Sequence, residues 1–132
     1  MNVAQSSTSL PELQQQRAAW HQGMALFAKG EYWECHEVLE PLWLEAEGLD
    51  KHFYAGVILL AAALHKARSM ASPRGGRRNY AKALAHLLYL DDCYGNAVTE
   101  KPVAIRQLEA QSHAALCDAQ QKPRIPYCDA RV

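Results

Sequence analysis

The sequence has no surplus of charge and no long apolar run. Its 132 residues contain 14 Lys and Arg against 14 Asp and Glu, which argues against a polybasic membrane anchor or a nucleic-acid coat. The longest uncharged apolar stretch, residues 53–64, is too short to span a bilayer. Residues 1–16 lack the basic and apolar regions of a secretory signal. We therefore predict a soluble, cytoplasmic protein without a membrane partner, and nucleic acid is not indicated.

The four cysteines lack the spacing of a zinc or redox motif. They occupy positions 35, 93, 117 and 128, and no CxxC pair is present. Thiols of cytosolic proteins usually stay reduced, so we predict free cysteines. Cys35 falls on the apolar stripe of a predicted helix, where cysteine behaves as a small hydrophobic residue, and we expect no nucleophile there.

The alternation of apolar and polar residues that is typical of strands is also missing. Helical periodicity extends over most of the chain. Ser9 and Glu12 form a capping-box pattern, and Gly30 suits the end of the helix that they start. The five predicted helices run from Ser9 to Lys29, from about residue 31 to 47, from about 51 to 68, from Ser72 to about 90, and from Thr99 onward. Thr99 is the expected N-cap of the last helix.

These helices predict an all-α, single-domain bundle with antiparallel neighbours. The third helix is apolar on nearly every side, so we expect it to be central. Pro41 lies within the second helix and should kink it or begin a new one. The predicted limits are a disordered N-terminus over residues 1–8, the helical domain over 9–119 and an extended tail over 120–132.

The most distinctive segment is residues 30–43, GEYWECHEVLEPLW. It resembles the G-x-[YF]-[WF]-E-x-H-E-x-L-E-x-x-W signature of the family catalogued as domain of unknown function 309, and the resemblance continues through residues 53–58 and 73–78. It implies a helical bundle and, from a label that some members carry, a metal-dependent hydrolase. Ala55 and Leu59 stand where the family often has glutamine, which weakens any polar site that uses those positions.

Within this segment, His36, Glu37 and Glu40 are similar to an H-E-x-x-H zinc motif whose second histidine is replaced. His36 and Glu40 are four residues apart and project from one side of a helix, so both could bind one divalent metal. Glu37 is then the candidate general base beside a metal-bound water. The third ligand would be His65 or His86, and small alanines precede His65.

A structural interpretation of the same residues is also open, and the sequence favours it. His36 and Glu40 lie at the edge of the predicted core stripe, beside Trp33 and Trp43. There the imidazole could hydrogen-bond a carboxylate or a carbonyl and fix how the second helix packs. On this interpretation His36, Glu37 and Glu40 form a polar cluster and bind no metal.

The zero net charge divides into two local excesses. Six acidic residues lie between positions 31 and 47, and six basic residues lie between 66 and 82. Basic residues at a helix start oppose the helix dipole, so they need compensation. Arg77 could pair internally with Glu37 or Glu40. Alternatively, an anion or phosphate site could form from residues of the fourth helix start: Ser72, Arg74, Gly75, Gly76 and Arg78.

Two functions follow from these patterns. The first is a helical bundle with a polar or metal site around His36, which would be a metal-dependent hydrolase by family resemblance. The second is a non-enzymatic helical interaction module, or a module that binds an anion or a nucleotide, using residues 74–78. The sequence names no substrate or partner, and it is compatible with a homo-oligomer.

Overall fold

The computed structural model of the protein describes residues 9–128, and helices form most of that part. The predicted all-α bundle of five helices is confirmed. The predicted disordered segment 1–8 and residues 129–132 of the predicted tail lie outside the described residues. No helix between residues 9 and 128 combines the length and hydrophobicity needed to cross a membrane. The helices are α1 (Leu10–Lys29), α2 (Tyr32–Glu45), α3 (Gly48–Arg68), α4 (Pro73–Leu87) and α5 (Ile105–Cys117).

Both ends of α1 are closed as the sequence predicts. The Oγ atom of Ser9 accepts from the Glu12 amide at 3.2 Å, and the Glu12 carboxylate accepts from the Ser9 amide at 3.1 Å. Gly30 ends the helix with φ of 82°, in the left-handed region that glycine adopts without a Cβ penalty. This turn directs the chain straight into α2.

α3 is the central helix, as predicted, because it packs against α2, α4 and α5. Its contact with α4 is close where glycines face larger groups. The Leu87 side chain fills the space that a Cβ on Gly56 would occupy, and a Cβ on Gly76 would lie 3.0 Å from the carbonyl oxygen of Ala63. The apolar helix is thereby covered along its length.

α2 continues through Pro41 from Tyr32 to Glu45, so no new helix begins at the proline. Proline removes the hydrogen bond to the carbonyl four residues earlier, that of Glu37. Both Pro41 and Glu37 are exposed, and water can serve that carbonyl. The exposed position explains why the helix tolerates the residue.

The prediction that Thr99 caps the fifth helix is wrong, since α5 begins at Ile105. Thr99 is 2% exposed, and its hydroxyl accepts from the amide of Asn96 at 3.0 Å. The Asn96 side chain in turn accepts from the amides of Val98 and Thr99. Thr99 therefore closes a turn before the helix, and α4 correspondingly stops at Leu87 rather than near residue 90.

The C-terminal part contains two features that the sequence did not predict. Strands β1 (Cys93–Tyr94) and β2 (Val103–Ala104) pair antiparallel. Cys93 and Cys128 form a disulfide, so the prediction of free thiols is wrong for these two and holds for Cys35 and Cys117. The tail through residue 128 has no helix, and it pairs with β2 through a bridge from Tyr127 to Val103.

Candidate functional site

Trp33 and His36 are stacked on the outer surface of α2. The two positions are three residues apart and therefore neighbours on the helix surface. The ring centroids are 4.9 Å apart and the planes are inclined by 8°. Trp33 remains 44% exposed. One face of its indole is thus covered by an imidazole while the ring stays accessible to solvent.

His65 of α3 approaches the same indole. Its ring centroid lies 5.3 Å from that of Trp33, with an interplanar angle of 36°. The structure therefore brings His36 and His65 to one aromatic ring. A cavity of about 270 Å³ opens beside it and is lined by Trp33, Ala62, His65, Lys66 and Met70. We call the cavity that these five residues line the Trp33 cavity.

The Nδ1 atom of His36 is buried and has no hydrogen-bond partner among residues 9–128. Burying an unpaired polar nitrogen costs about 1–3 kcal/mol. The structural interpretation predicted that this imidazole bonds a carboxylate or a carbonyl, and the Nδ1 atom makes no such bond. A zinc-bound histidine likewise gives its second nitrogen a hydrogen-bond acceptor, and that support is missing here.

The two glutamates of the motif do not join this cluster. Glu37 and Glu40 are exposed. Across residues 9–128, no group of three or more His, Cys, Asp or Glu side chains could hold a metal ion. The donor set around His36 therefore does not fit the three protein ligands of a catalytic zinc site.

The serine and the two glycines at the start of α4 have structural roles. The Ser72 hydroxyl accepts from the Gly75 amide at 3.2 Å and caps the helix. A Cβ on Gly75 would lie 3.0 Å from the Cδ atom of Lys66, so this turn lies directly against α3. Gly76 faces α3 as well, as described for the fold.

The arginines of this segment lie on the surface of the protein. Arg74, Arg77 and Arg78 are all exposed, and none lines the Trp33 cavity. Within residues 9–128, none of the three forms a salt bridge. The expected pair of Arg77 with Glu37 or Glu40 is therefore not formed, and the three positive charges face solvent.

A second pair of histidines meets where the start of α3 lies beside the end of α4. The Nδ1 atoms of His52 and His86 are 3.0 Å apart. His52 also stacks on Tyr89, with ring centroids 4.4 Å apart. Burial and the neighbouring His52 lower the pKa of His86. The pair borders a cavity of about 580 Å³ whose other lining residues are Trp43, Gly48, Leu49, Lys51 and Tyr89.

Sequence reasoning considered His86 only as a third ligand for His36 and missed His52. The missing signal was the register of two antiparallel helices, which decides whether residues 34 positions apart meet. The close approach of Gly56 to Leu87 fixes that register. His36 and His65 were found because one lies in a long motif and the other follows small residues.

Cys35 of α2 matches the prediction of an inert thiol. It is fully buried in the core. Burial raises its pKa to about 12. The thiolate, which is the nucleophilic form, is therefore scarce at neutral pH.

Comparisons with known proteins agree with the signature and the fold. A family model described as Domain of unknown function (DUF309) matches residues 20–79. The solved structure of a conserved hypothetical protein from Thermus thermophilus is 39% identical in sequence, with a TM-score of 0.62. That similarity covers 74% of this chain and 95% of the other. A search of curated proteins found no match.

Proposed function

The chain belongs to the DUF309 family, and we propose that it acts as a ligand-binding module through the Trp33 cavity. The observation that carries this proposal is the partly exposed indole of Trp33, which lies against two imidazoles at the edge of the cavity. A fixed aromatic face with a few polar groups is typical of a small-molecule site. The stack with His36 holds the ring in place before any ligand arrives.

The lining residues indicate the chemistry of the ligand. Lys66 contributes a positive charge, and in the part of the chain that the structure describes no acidic side chain lines the cavity. Trp33 and Met70 contribute apolar surface, and methionine adapts easily to different shapes. The ligand is therefore a small planar molecule that carries a carboxylate or another anionic group.

The size of the cavity limits that ligand further. Sites for drug-sized compounds usually measure roughly 300–1,000 Å³, and this cavity measures about 270 Å³. A single aromatic ring with one anionic substituent fits such a volume. The unpaired Arg74, Arg77 and Arg78 add positive potential around the start of α4, which attracts anions over a distance.

Benzoate and its neutral analogue benzamide test this proposal. We expect benzoate to shift the indole NMR resonance of Trp33 saturably, with the resonance assigned by Trp33→Phe. Lys66→Gln should weaken benzoate binding at least tenfold, because a hydrogen bond to a charged group contributes about 1.5–3 kcal/mol. Lys82→Gln, an exposed lysine outside the cavity, is the matched control and should bind as the wild type does.

Three results would overturn the proposal. One is equal affinity for benzoate and benzamide, since the positive charge would then play no part. Another is the same benzoate affinity in Lys66→Gln and Lys82→Gln. Absence of any saturable shift at Trp33 would equally exclude this cavity as the site.

A metal-dependent hydrolase using His36, Glu40, His65 and the base Glu37 stays a prediction, and the donor set does not favour it. Two measurements test the hydrolase prediction: the metal content of untagged protein, and its thermal unfolding with added zinc or manganese. A hydrolase of this type requires near one equivalent of metal or a stabilising shift, and both should be lost in His36→Gln. Less than about a tenth of an equivalent, with no shift, excludes it.

A further inference from the structure

His52 and His86 bring two nitrogen atoms, each a possible metal ligand, into contact. Their Nδ1 atoms lie 3.0 Å apart across the contact between α3 and α4. Neutral imidazole nitrogen is a good ligand for zinc, copper and nickel. We propose that His52 and His86 bind a divalent transition metal that prefers tetragonal coordination, Cu(II) or Ni(II), through their Nδ1 atoms.

The separation of the nitrogens selects the geometry. Metal–nitrogen bonds of ~2.0–2.1 Å to two atoms 3.0 Å apart enclose an angle of about 95°. Neighbouring positions of a square-planar or tetragonal complex are about 90° apart, which Cu(II) and Ni(II) favour. Tetrahedral zinc would require the two nitrogens to move apart.

Packing holds both rings near this arrangement. His52 stacks on Tyr89, which restrains the imidazole on the α3 side. His86 lies in the last turn of α4, where unpaired carbonyl groups make the helix end favourable for a cation. The interlocked Gly56 and Leu87 fix the two helices against each other beside the pair.

The remaining coordination positions are open to solvent molecules or small anions. Between residues 9 and 128 there is no third His, Cys, Asp or Glu placed to complete a metal site. The cavity of about 580 Å³ beside the histidines leaves room for other ligands. Lys51, whose ammonium lies 4.9 Å from the Trp43 ring centroid, places a positive charge on that cavity wall and favours an anionic co-ligand.

The protons balance without net release. At 3.0 Å one Nδ1 atom carries the hydrogen that the other accepts. When both Nδ1 atoms bind metal, that proton moves to the Nε2 atom of its own ring. Each imidazole stays neutral, as a metal ligand must be.

Titration of the untagged full chain with Cu(II), followed by calorimetry and EPR, tests this site. We expect one equivalent of Cu(II) with two nitrogen ligands in the EPR spectrum of the wild type. His52→Gln and His86→Gln should each weaken binding at least tenfold and reduce the spectrum to one nitrogen ligand. His113→Gln, an exposed histidine elsewhere, is the matched control and should leave the site unchanged.

Circular dichroism of each variant confirms that the helices are retained. Unchanged binding in both His52→Gln and His86→Gln would overturn the proposal. So would equal losses in His113→Gln, because binding would then be distributed over the surface. Loss only in His36→Gln or His65→Gln would assign the metal to the two histidines beside Trp33 and likewise overturn the proposal.

Discussion

Arg68 of α3 donates a hydrogen bond from Nη1 to the hydroxyl of Tyr32 at the start of α2, over 3.1 Å. Its Nη2 atom donates to the carbonyl of Ala115 at 3.0 Å and to that of Asp118 at 3.2 Å. These carbonyls belong to the end of α5 and the residue that follows it. A single side chain of the central helix therefore joins the start of α2 to the end of α5.

We expect Arg68→Met to lower the free energy of unfolding by about 2–3 kcal/mol, because it leaves several polar groups without their charged donor. Urea denaturation measures this change. Arg78→Met is the matched control and should change stability by less than about 0.5 kcal/mol, since that side chain is exposed. Equal effects of the two substitutions would contradict the assigned role of Arg68.

Gly56→Ala tests the close contact of α3 and α4. Replacing glycine by alanine inside a helix normally stabilises it by about 1 kcal/mol. Here the Leu87 side chain occupies the place of the new methyl group, so we expect a loss of about 1–3 kcal/mol. The double variant Gly56→Ala with Leu87→Ala should lose less than the sum of the single losses, and strict additivity would contradict the contact.

His36→Phe tests the unpartnered nitrogen beside Trp33. Phenylalanine retains an aromatic ring against the indole and removes the buried Nδ1 atom, so we expect the free energy of unfolding to rise by about 1–2 kcal/mol. His36→Ala loses the aromatic contact and should be less stable than the wild type. A loss of stability in His36→Phe would show that the nitrogen has a partner in solution.

Alkaline solutions should destabilise the protein through Tyr54. Burial raises its pKa to about 12, above its ordinary value of 10. The unfolded chain therefore releases this proton first, and the free energy of unfolding should fall as pH rises from about 10 to 12 while changing little below 10. Tyr94, whose pKa burial and Asp50 also raise, acts in the same direction. Denaturation curves at several pH values should show a smaller slope in Tyr54→Phe.

Iodoacetamide should distinguish the cysteines. Cys117 is exposed whereas Cys35 is buried, and burial raises the pKa of Cys35 to about 12. We expect mass spectrometry of the native protein to find one alkylated cysteine, Cys117. Cys35 should react only in denaturant, and Cys93 and Cys128 only after reduction as well. Rapid alkylation of Cys35 in the native protein would contradict its place in the core.

The sequence predicted most of the fold because the decisive signals are local. Ser9 and Glu12 define a helix start within four residues, and the apolar surface of α3 alone predicts a central helix. The prediction at Thr99 was wrong because the sequence does not distinguish a hydroxyl that caps a helix from one that closes a turn with Asn96. The disulfide was missed since its cysteines are 35 residues apart and no local spacing marks them.

The candidate site was predictable to a smaller extent. His36 and His65 both lie against the Trp33 ring, but the wheel position of Glu40 could not reveal that its side chain would be exposed. Side chains at the edge of a helix stripe can face the core or solvent, and the neighbouring helix decides between them. His52 and His86 depend entirely on that tertiary register.

The disulfide between Cys93 and Cys128 encloses α5 in a covalent ring. Chain-entropy arguments give a closed loop of this length about 4 kcal/mol of stabilisation. α5 makes fewer contacts with the other helices than α1 to α4 make among themselves, so the ring matters more for α5 than for the bundle of α1 to α4. The stability of α5, and of the hydrogen bonds that Arg68 donates at its end, thus depends on whether the surroundings of the protein are oxidising or reducing.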